Sequence, residues 1–373
     1  MKIGLLHNLY GEYSRGGAET AVKIMADNFR ADGQQVFIIT TRPKSGRIKM
    51  TDNGRASEND PMKIDENSTD EKIYYINSEF YNLNKRSRLY RALWQIGNIF
   101  AFKKAGNIKK ILKLEKPDLV VMHNLMGLGF MVPSVLRQLN IRHEHFLHDI
   151  QLIHPSGLMI FGQEQKINRL SAKIYQALTR VLFASPVKVT SPSDWLLEMH
   201  KQRGFFKDSE HEVKPFVWPK TTTQNPLRNG LAKNFLFIGQ VEEQKGIFLL
   251  INAFKKIKRP ELTLTIAIRG GGGSLEPARA AASADARIKF LGPLSYEETE
   301  KVKAASDCLI VPSLCYENSP TTIYGAQAAG LPVIASRLGG IPELMKKDDR
   351  LFAPGDENDL LEKILLMTEK TGA

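Results

Sequence analysis

Between Cys308 and Glu343 the chain sets a carboxylate, four small polar side chains and a proline where they could hold a phosphorylated ligand. Glu317 stands on a loop after the apolar run Cys308–Val311, and Asn318, Ser319, Pro320, Thr321 and Thr322 follow it. Asn318 or Ser319 is placed to N-cap a helix whose first residue is Pro320 and which Gly330 closes. Free backbone N–H groups and the dipole at such a helix start favour phosphate. A carboxylate just before it can accept hydrogen bonds from sugar hydroxyls. The combination implies a pocket for a phosphorylated sugar.

Three further places carry residues of the right type. Gly16 and Gly17 precede a helix expected from about Glu19 to Ala31, in the run Arg15-Gly16-Gly17-Ala18-Glu19. Paired glycines there let the backbone approach a ligand and present N–H groups, while Glu19 complements the helix dipole. His148 closes an apolar strand in Leu147-His148-Asp149, at the mouth of an α/β cleft, where it can hydrogen-bond a sugar hydroxyl or a phosphate. His123 occupies a similar strand end and is expected to be satisfied by local backbone. The 8 histidines form no HxxxH or HExxH pattern, so no metal site is expected.

Positioning these groups requires parallel sheets, and the chain alternates strand and helix throughout. Ile3–Leu6, Gln35–Thr40, Lys72–Ile76, Leu119–His123, His145–His148 and Val187–Thr190 read as strands of a first domain, residues 1–214. Phe235–Ile238, Leu262–Ile268, Ile288–Leu291, Cys308–Val311 and Val333–Ala335 read as strands of a second, residues 230–373. Residues 215–229, rich in Pro, Thr and Asn, read as the linker, and Arg42–Glu71 as a long polar loop. A length of 373 residues suits two α/β domains, and 42% hydrophobic with 25% charged residues suits a globular protein. No apolar run of roughly 18 residues and no leader is apparent, and two cysteines without ligand spacing suit a reducing cytoplasm.

The formal charge of +12 implies an anionic partner: nucleic acid, a membrane surface or a phosphorylated substrate. Residues 84–113 contain no Asp or Glu but carry Lys85, Arg86, Arg88, Arg91, Lys103, Lys104, Lys109, Lys110 and Lys113. Leu89, Leu93, Ile96 and Phe100 recur at helical spacing among them. The stretch reads as a basic amphipathic helix, broken near Gly97 or Gly106. It is either packed with a solvated basic face or docked on anionic lipid.

The segment from Tyr316 to Glu343 resembles the nucleotide-sugar site of the retaining glycosyltransferases of family 4, group 1. Their GT-B fold sets two Rossmann-like domains face to face across a cleft. In that family Glu317 would orient the donor sugar, and the backbone of Ser319 to Thr322 would hold the distal phosphate. A second glutamate, which contacts the ribose, would stand where this chain has Gly325. Phe237 to Gly246 is similar to the segment whose Arg and Lys clamp the diphosphate. Here Lys245 supplies the leaving-group cation, while the Arg place is Gln240, a donor without charge. Arg269, before Gly270–Gly273, is a second candidate cation.

The resemblance also sets His148 beneath the donor sugar and the loop of Gly16 and Gly17 against the acceptor or the donor phosphate. It implies hexose transfer to a glycan or lipid-linked acceptor with retained configuration, needing no metal and no cofactor beyond the donor. Residues 84–113 would then meet the inner face of the membrane, with nucleic acid excluded as a partner. After Gly355 a single helix, Glu357 to about Met367, is expected, without the family's crossing helix. Because of Gly325 and Gln240, a catalytically weakened or inactive GT-B protein that binds a partner is the alternative. Two NAD-binding domains are a poorer fit, because neither glycine-rich turn has the G-x-G-x-x-G spacing.

Overall fold

Short β-branched runs alternating with amphipathic helices build two parallel sheets in the computed structural model, which describes residues 1–14, 16–43, 71–184, 186–218, 231–269 and 272–369. In the first domain the elements run β1 (Lys2–Leu6), α1 (Gly17–Ala31), β2 (Gln35–Pro43), β3 (Lys72–Ser78), α2 (Arg88–Ile99), α3 (Phe102–Glu115) and β4 (Leu119–Met122). They continue with α4 (Val132–Gln138), β5 (His143–Phe146), α5 (Leu170–Leu182), β6 (Lys188–Ser191), α6 (Asp194–Lys201) and β7 (Glu210–Val213). The second domain has β8 (Asn234–Gly239), α7 (Ile247–Lys256), β9 (Thr263–Ile268), α8 (Leu275–Ala282), β10 (Ile288–Leu291) and α9 (Tyr296–Ala304). It ends with β11 (Cys308–Val311), α10 (Thr321–Ala328), β12 (Val333–Ser336), β13 (Arg350–Phe352) and α11 (Glu357–Leu366).

The strand orders are β3-β2-β1-β4-β5-β6-β7 and β10-β9-β8-β11-β12-β13. In each sheet the order reverses between two neighbours, β1 with β4 and β8 with β11. The loops leaving their carboxyl ends part there to opposite sides, and the gap is where α/β sheets hold ligands. Gly17 and His123 follow the first pair of strands; Lys245 and Glu317 follow the second. Strand alternation supports this frame. Ile3 and Leu5 pack with Val22 and Ala26 of α1, whereas Leu6 faces the helices on the other side of the sheet.

Several expectations shift. The fifth strand is His143–Phe146, not His145–His148, so His148 lies on the loop beyond it. β7 and β13 were not legible: β7 is a half-exposed edge strand with three charged or polar residues, and β13 spans only 3 residues. The basic stretch breaks at Phe100–Ala101 rather than at Gly97 or Gly106. Both glycines sit on open helix surface with nothing near a would-be Cβ, so neither forces a bend. Most of the polar loop 42–71 and of the linker 215–229 falls outside the described residues, as do Arg15, Gly270 and Gly271 and the side chains of Lys85 and Arg88. α11 packs on α7 of its own domain.

The domains meet through polar contacts beside the cleft. Glu343 accepts from the backbone N–H of Asp194 at 2.7 Å and of Trp195 at 2.8 Å, capping α6 from the opposite domain. Ser193 donates to Asn318 Oδ1 at 2.5 Å, and Trp195 stacks on Tyr316 at 5.8 Å. Backbone bonds from Phe161 to Leu314 and from Tyr316 to Met159 close the other edge.

Candidate active site

Lys245 ends a short turn after β8, and Gly246 in the left-handed region (φ +74) lets that turn press against Pro312. This carries Lys245 Nζ to 2.5 Å from Glu317 Oε1. Ser313 Oγ donates to the same carboxylate oxygen at 3.0 Å. Burial works to raise the Glu317 pKa, but the Lys245 charge and these hydrogen bonds bring it below the usual carboxylate range. Burial would lower Lys245, but Glu317 lifts it above an ordinary lysine. Both groups are therefore ionised. The Gly339-Gly340 turn braces the loop from behind: the Gly340 N–H donates to Glu317 O at 2.8 Å, and a Cβ at Gly340 would meet Asn318 O at 2.0 Å.

Two helix N-termini meet in front of this pair. α1 begins at Gly17, and a Cβ there would lie 2.5 Å from Thr321 Oγ1, the first residue of α10. A side chain there would force Thr321 to shift. Glu19, expected to complement the helix dipole, also caps the helix: its Oε2 accepts from Gly16 N at 2.8 Å. At α10 the cap differs from expectation. Pro320 holds the cap position and no side chain caps the helix. Asn318 is occupied by Ser193 and by the carbonyls of Leu147 and His148, and Ser319 Oγ by Tyr324 OH at 2.8 Å. The start of α10 is left open to a ligand, with the dipoles of both helices aimed at one place.

These groups line one cavity of about 480 Å³. Gly16, Gly17, His148, Gln240, Lys245, Arg269, Glu317, Asn318, Ser319, Pro320, Thr321 and Thr322 all border it. Gly325 does not. It is buried on the far side of α10, where a Cβ would come 3.1 Å from Lys303 Nζ and 3.7 Å from the Trp218 ring. Lys303 pairs with Glu300 at 2.5 Å, and Trp218 stacks on Tyr324. A donor-binding role for Gly325 itself therefore has no support in this geometry.

The first-domain wall is a histidine cluster. His123 Nδ1 lies 2.8 Å from His148 Nε2, so His123 is partnered by a side chain and not, as expected, by local backbone. The His7 ring lies 5.4 Å from that of His148. Burial drives His148 down to about 3, and burial with neighbouring histidine charge takes His7 and His123 well below the usual range. Asp149, also on the cavity, is raised to about 6 by burial, against hydrogen bonds from Gln151 N at 2.7 Å and Asn124 at 3.0 Å. Sequence reasoning missed His7, although it follows β1 by the same strand-end rule that found His148. It also missed Glu343, because a cap supplied from the other domain leaves no local signal. Among the described residues no group of three or more His, Cys, Asp or Glu is placed to hold a metal ion, and no helix is long and apolar enough to cross a membrane.

Comparison with known proteins agrees with this geometry. Residues 15–213 match the family model described as Glycosyltransferase Family 4, and residues 232–370 match that of Glycosyl transferases group 1. A 42.6 kDa protein of the cps region of Klebsiella pneumoniae is 26% identical over 369 residues, covering 96% of this chain and 91% of that one. D-inositol 3-phosphate glycosyltransferase of Corynebacterium efficiens is 36% identical over 120 residues, covering 30% of this chain and 28% of its own. The structure of Anabaena HepE in complex with UDP-glucose superposes with a TM-score of 0.67 at 16% identity, covering 100% of this chain and 90% of that one. With both halves matched and two facing Rossmann-like domains, the chain belongs to the group 1, family 4 glycosyltransferases and has the GT-B fold.

Proposed function

We propose that this glycosyltransferase moves a hexose from a nucleoside diphosphate sugar to an acceptor hydroxyl with retention of the anomeric configuration. The observation that carries the reading is the Lys245–Glu317 ion pair facing two helix N-termini in one cavity. The donor diphosphate would lie between the N-termini of α1 and α10, drawing Lys245 away from Glu317. Glu317, freed from its cation, would accept hydrogen bonds from the sugar, with His148 on the opposite wall. As the bond from the anomeric carbon to the phosphate oxygen breaks, Lys245 and the helix dipoles take up the negative charge. The acceptor oxygen bonds the same face of that carbon, and its proton passes to the departing phosphate. This arrangement supplies the cationic help that a metal ion would otherwise give. The binding of UDP-glucose by HepE, the same fold, supports a nucleotide-sugar donor.

The acceptor is proposed to be glycan or lipid-linked and to be met at the inner face of the membrane. Leu89, Leu93, Ile96, Phe100 and Phe102 of the α2–α3 region are 45% to 72% exposed, so the apolar stripe faces outward while Trp94 packs on the core. Lys103 and Lys110 flank it in solvent; Lys104 instead bonds Ser78 and Gly127 O, and Lys109 bonds Gln138. An exposed apolar stripe edged by cations, on a segment that itself carries no acid and meets Glu79 through Tyr90, suits anionic headgroups. Isothermal titration with UDP-, GDP- and ADP-sugars, followed by assay of donor hydrolysis, tests the reading. One donor should bind and turn over. Binding without turnover would favour a partner or binding subunit, and no binding by any donor would overturn the assignment.

A further inference from the structure

We propose that α5 is a second lipid-facing surface of the first domain, lying against the headgroups of an anionic bilayer; the inference rests on the membrane reading of α2 and extends it. The helix is turned inside out relative to its sequence. Leu170, Ile174, Leu178 and Val181 recur at helical spacing, the pattern that ordinarily marks the buried face. Here they are 40% to 75% exposed.

The buried face is the polar one. Tyr175 OH donates to Gln151 O at 2.6 Å, and Thr179 Oγ1 donates to Leu152 O at 2.6 Å. Gln176 Nε2 donates to Ile153 O at 3.1 Å and to Ile167 O at 2.8 Å. Three inward side-chain donors and the four carbonyls they meet would lose these bonds if the helix rolled to hide its leucines, so the outward stripe is fixed by the polar contacts beneath it.

Its occupant follows from charge. The sequence from Gln165 to Ser193 contains no Asp or Glu, and Lys166, Arg169, Lys173 and Arg180 are exposed around the stripe. A second copy packed on this helix would bring like charges together. Phosphate headgroups complement them, while the apolar side chains enter the interfacial layer. The helix also stands on the same side of the sheet as α2: Ile99 of α2 and Tyr175 of α5 enter one buried cluster. Gln95 of α2 donates to Pro155 O at 3.4 Å, in the loop whose carbonyls hold the inner face of α5. Phe130 ties the two further, its N–H donating to Asn98 O and its ring touching Tyr175 and Phe183.

Co-sedimentation with vesicles of equimolar phosphatidylcholine and phosphatidylglycerol, with phosphatidylcholine alone as control, tests the proposal. The variant Leu170→Ser, Ile174→Ser, Leu178→Ser should keep the wild-type unfolding midpoint and lose at least about tenfold in affinity for the anionic vesicles. Arg169→Glu with Lys173→Glu should weaken anionic binding without touching the stripe. Leu93→Ser with Ile96→Ser reports on α2 separately. If the α2 variant loses binding and both α5 variants keep it, the α5 inference fails and the membrane reading stands. If α5 and α2 variants each lose binding, both surfaces are supported; if the α5 variants alone lose it, α5 is the lipid-facing surface and its description as a second one is overturned. Wild-type protein that sediments with neither vesicle at low salt overturns both. An α5 variant that halves the mass in light scattering while vesicle binding is unchanged would make a second copy the occupant and overturn the proposal.

Discussion

On the second-domain wall of the cleft Lys245 and Glu317 stay ionised, each the counter-ion of the other at 2.5 Å. On the facing wall burial strips positive charge from His7, His123 and His148, and pushes Asp149 up to about 6. The histidine wall is the more enclosed, with His7 and His123 1% and 0% exposed against 29% and 19% for the Lys245 and Glu317 side chains, yet burial also works against the Glu317 charge and does not by itself decide the outcome. A partner of opposite sign does. The histidines have only one another, and like groups disfavour protonation. The charged wall suits the anionic end of a donor; the neutral wall suits hydroxyl groups, which need hydrogen-bonding partners but no counter-charge.

The strongest way to break this contrast is Lys245→Ala. It removes the cation and leaves Glu317 without its counter-ion, so turnover should fall by at least about a hundredfold while the unfolding midpoint stays measurable. Unchanged turnover in a folded variant would remove Lys245 from the leaving-group role.

Acid tests the other wall. A histidine whose folded pKa is depressed binds fewer protons folded than unfolded between the two values, so stability rises with pH across that window and is lost as pH falls below about 6.5. His148, at about 3, should cost about 2 kcal/mol at pH 5 relative to pH 7, and His145, also at about 3 but packed away from the cleft against Phe183 and Phe206, should add a similar amount. Asp149 acts with the opposite sign, since its raised carboxyl penalises the fold above about pH 6 and is relieved below it. Urea unfolding at pH 7 and pH 5 should show a net loss of stability with acid. A flat profile would mean that the histidines are not held neutral.

The junction of the two walls is tested by Gly17→Ala. Its Cβ would enter the space of Thr321 and push α1 away from α10, so affinity for the donor should drop by about tenfold in titration, roughly 1.4 kcal/mol. The smallest expected effect is Glu343→Gln, which replaces an ionised cap on α6 by a neutral one. Stability should fall by about 0.5 kcal/mol at low salt, and less at high salt. A thermal shift at two ionic strengths measures it.

Much of this protein could be read from its residues because the signals were local. Two parallel-sheet domains follow from the alternation of strand and helix, and the Glu317 loop and the Gly16-Gly17 turn stand out because each lies at the carboxyl end of a strand, where a ligand pocket opens, while Lys245 is reached through the resemblance of residues 237–246 to a family motif. The errors have a shared cause. The cap of α10 was assigned to Asn318 and Ser319 from their type, yet Asn318 bonds the other domain and Ser319 bonds Tyr324. Gly325 was placed on the donor from its position in a motif, but the roll of α10 turns it towards Lys303 and Trp218. The outward turn of α5 had no reading in the sequence at all, because the carbonyls of residues 151–153 and 167 that hold it lie elsewhere in the chain.

The sequence by itself determined which groups exist and most of the strands and helices that carry them, and hence that two phosphate-seeking helix starts, a lysine and a carboxylate at strand ends belong to this chain. Only the tertiary structure decided that α1 and α10 touch through Gly17 and Thr321, that the Lys245 and Glu317 charges neutralise each other, and that His7, His123 and His148 lose theirs. Each of these is a contact between segments far apart in the chain. The free energy of a charge or a hydrogen bond depends on what lies within a few ångströms in space, and distance along the chain does not encode that.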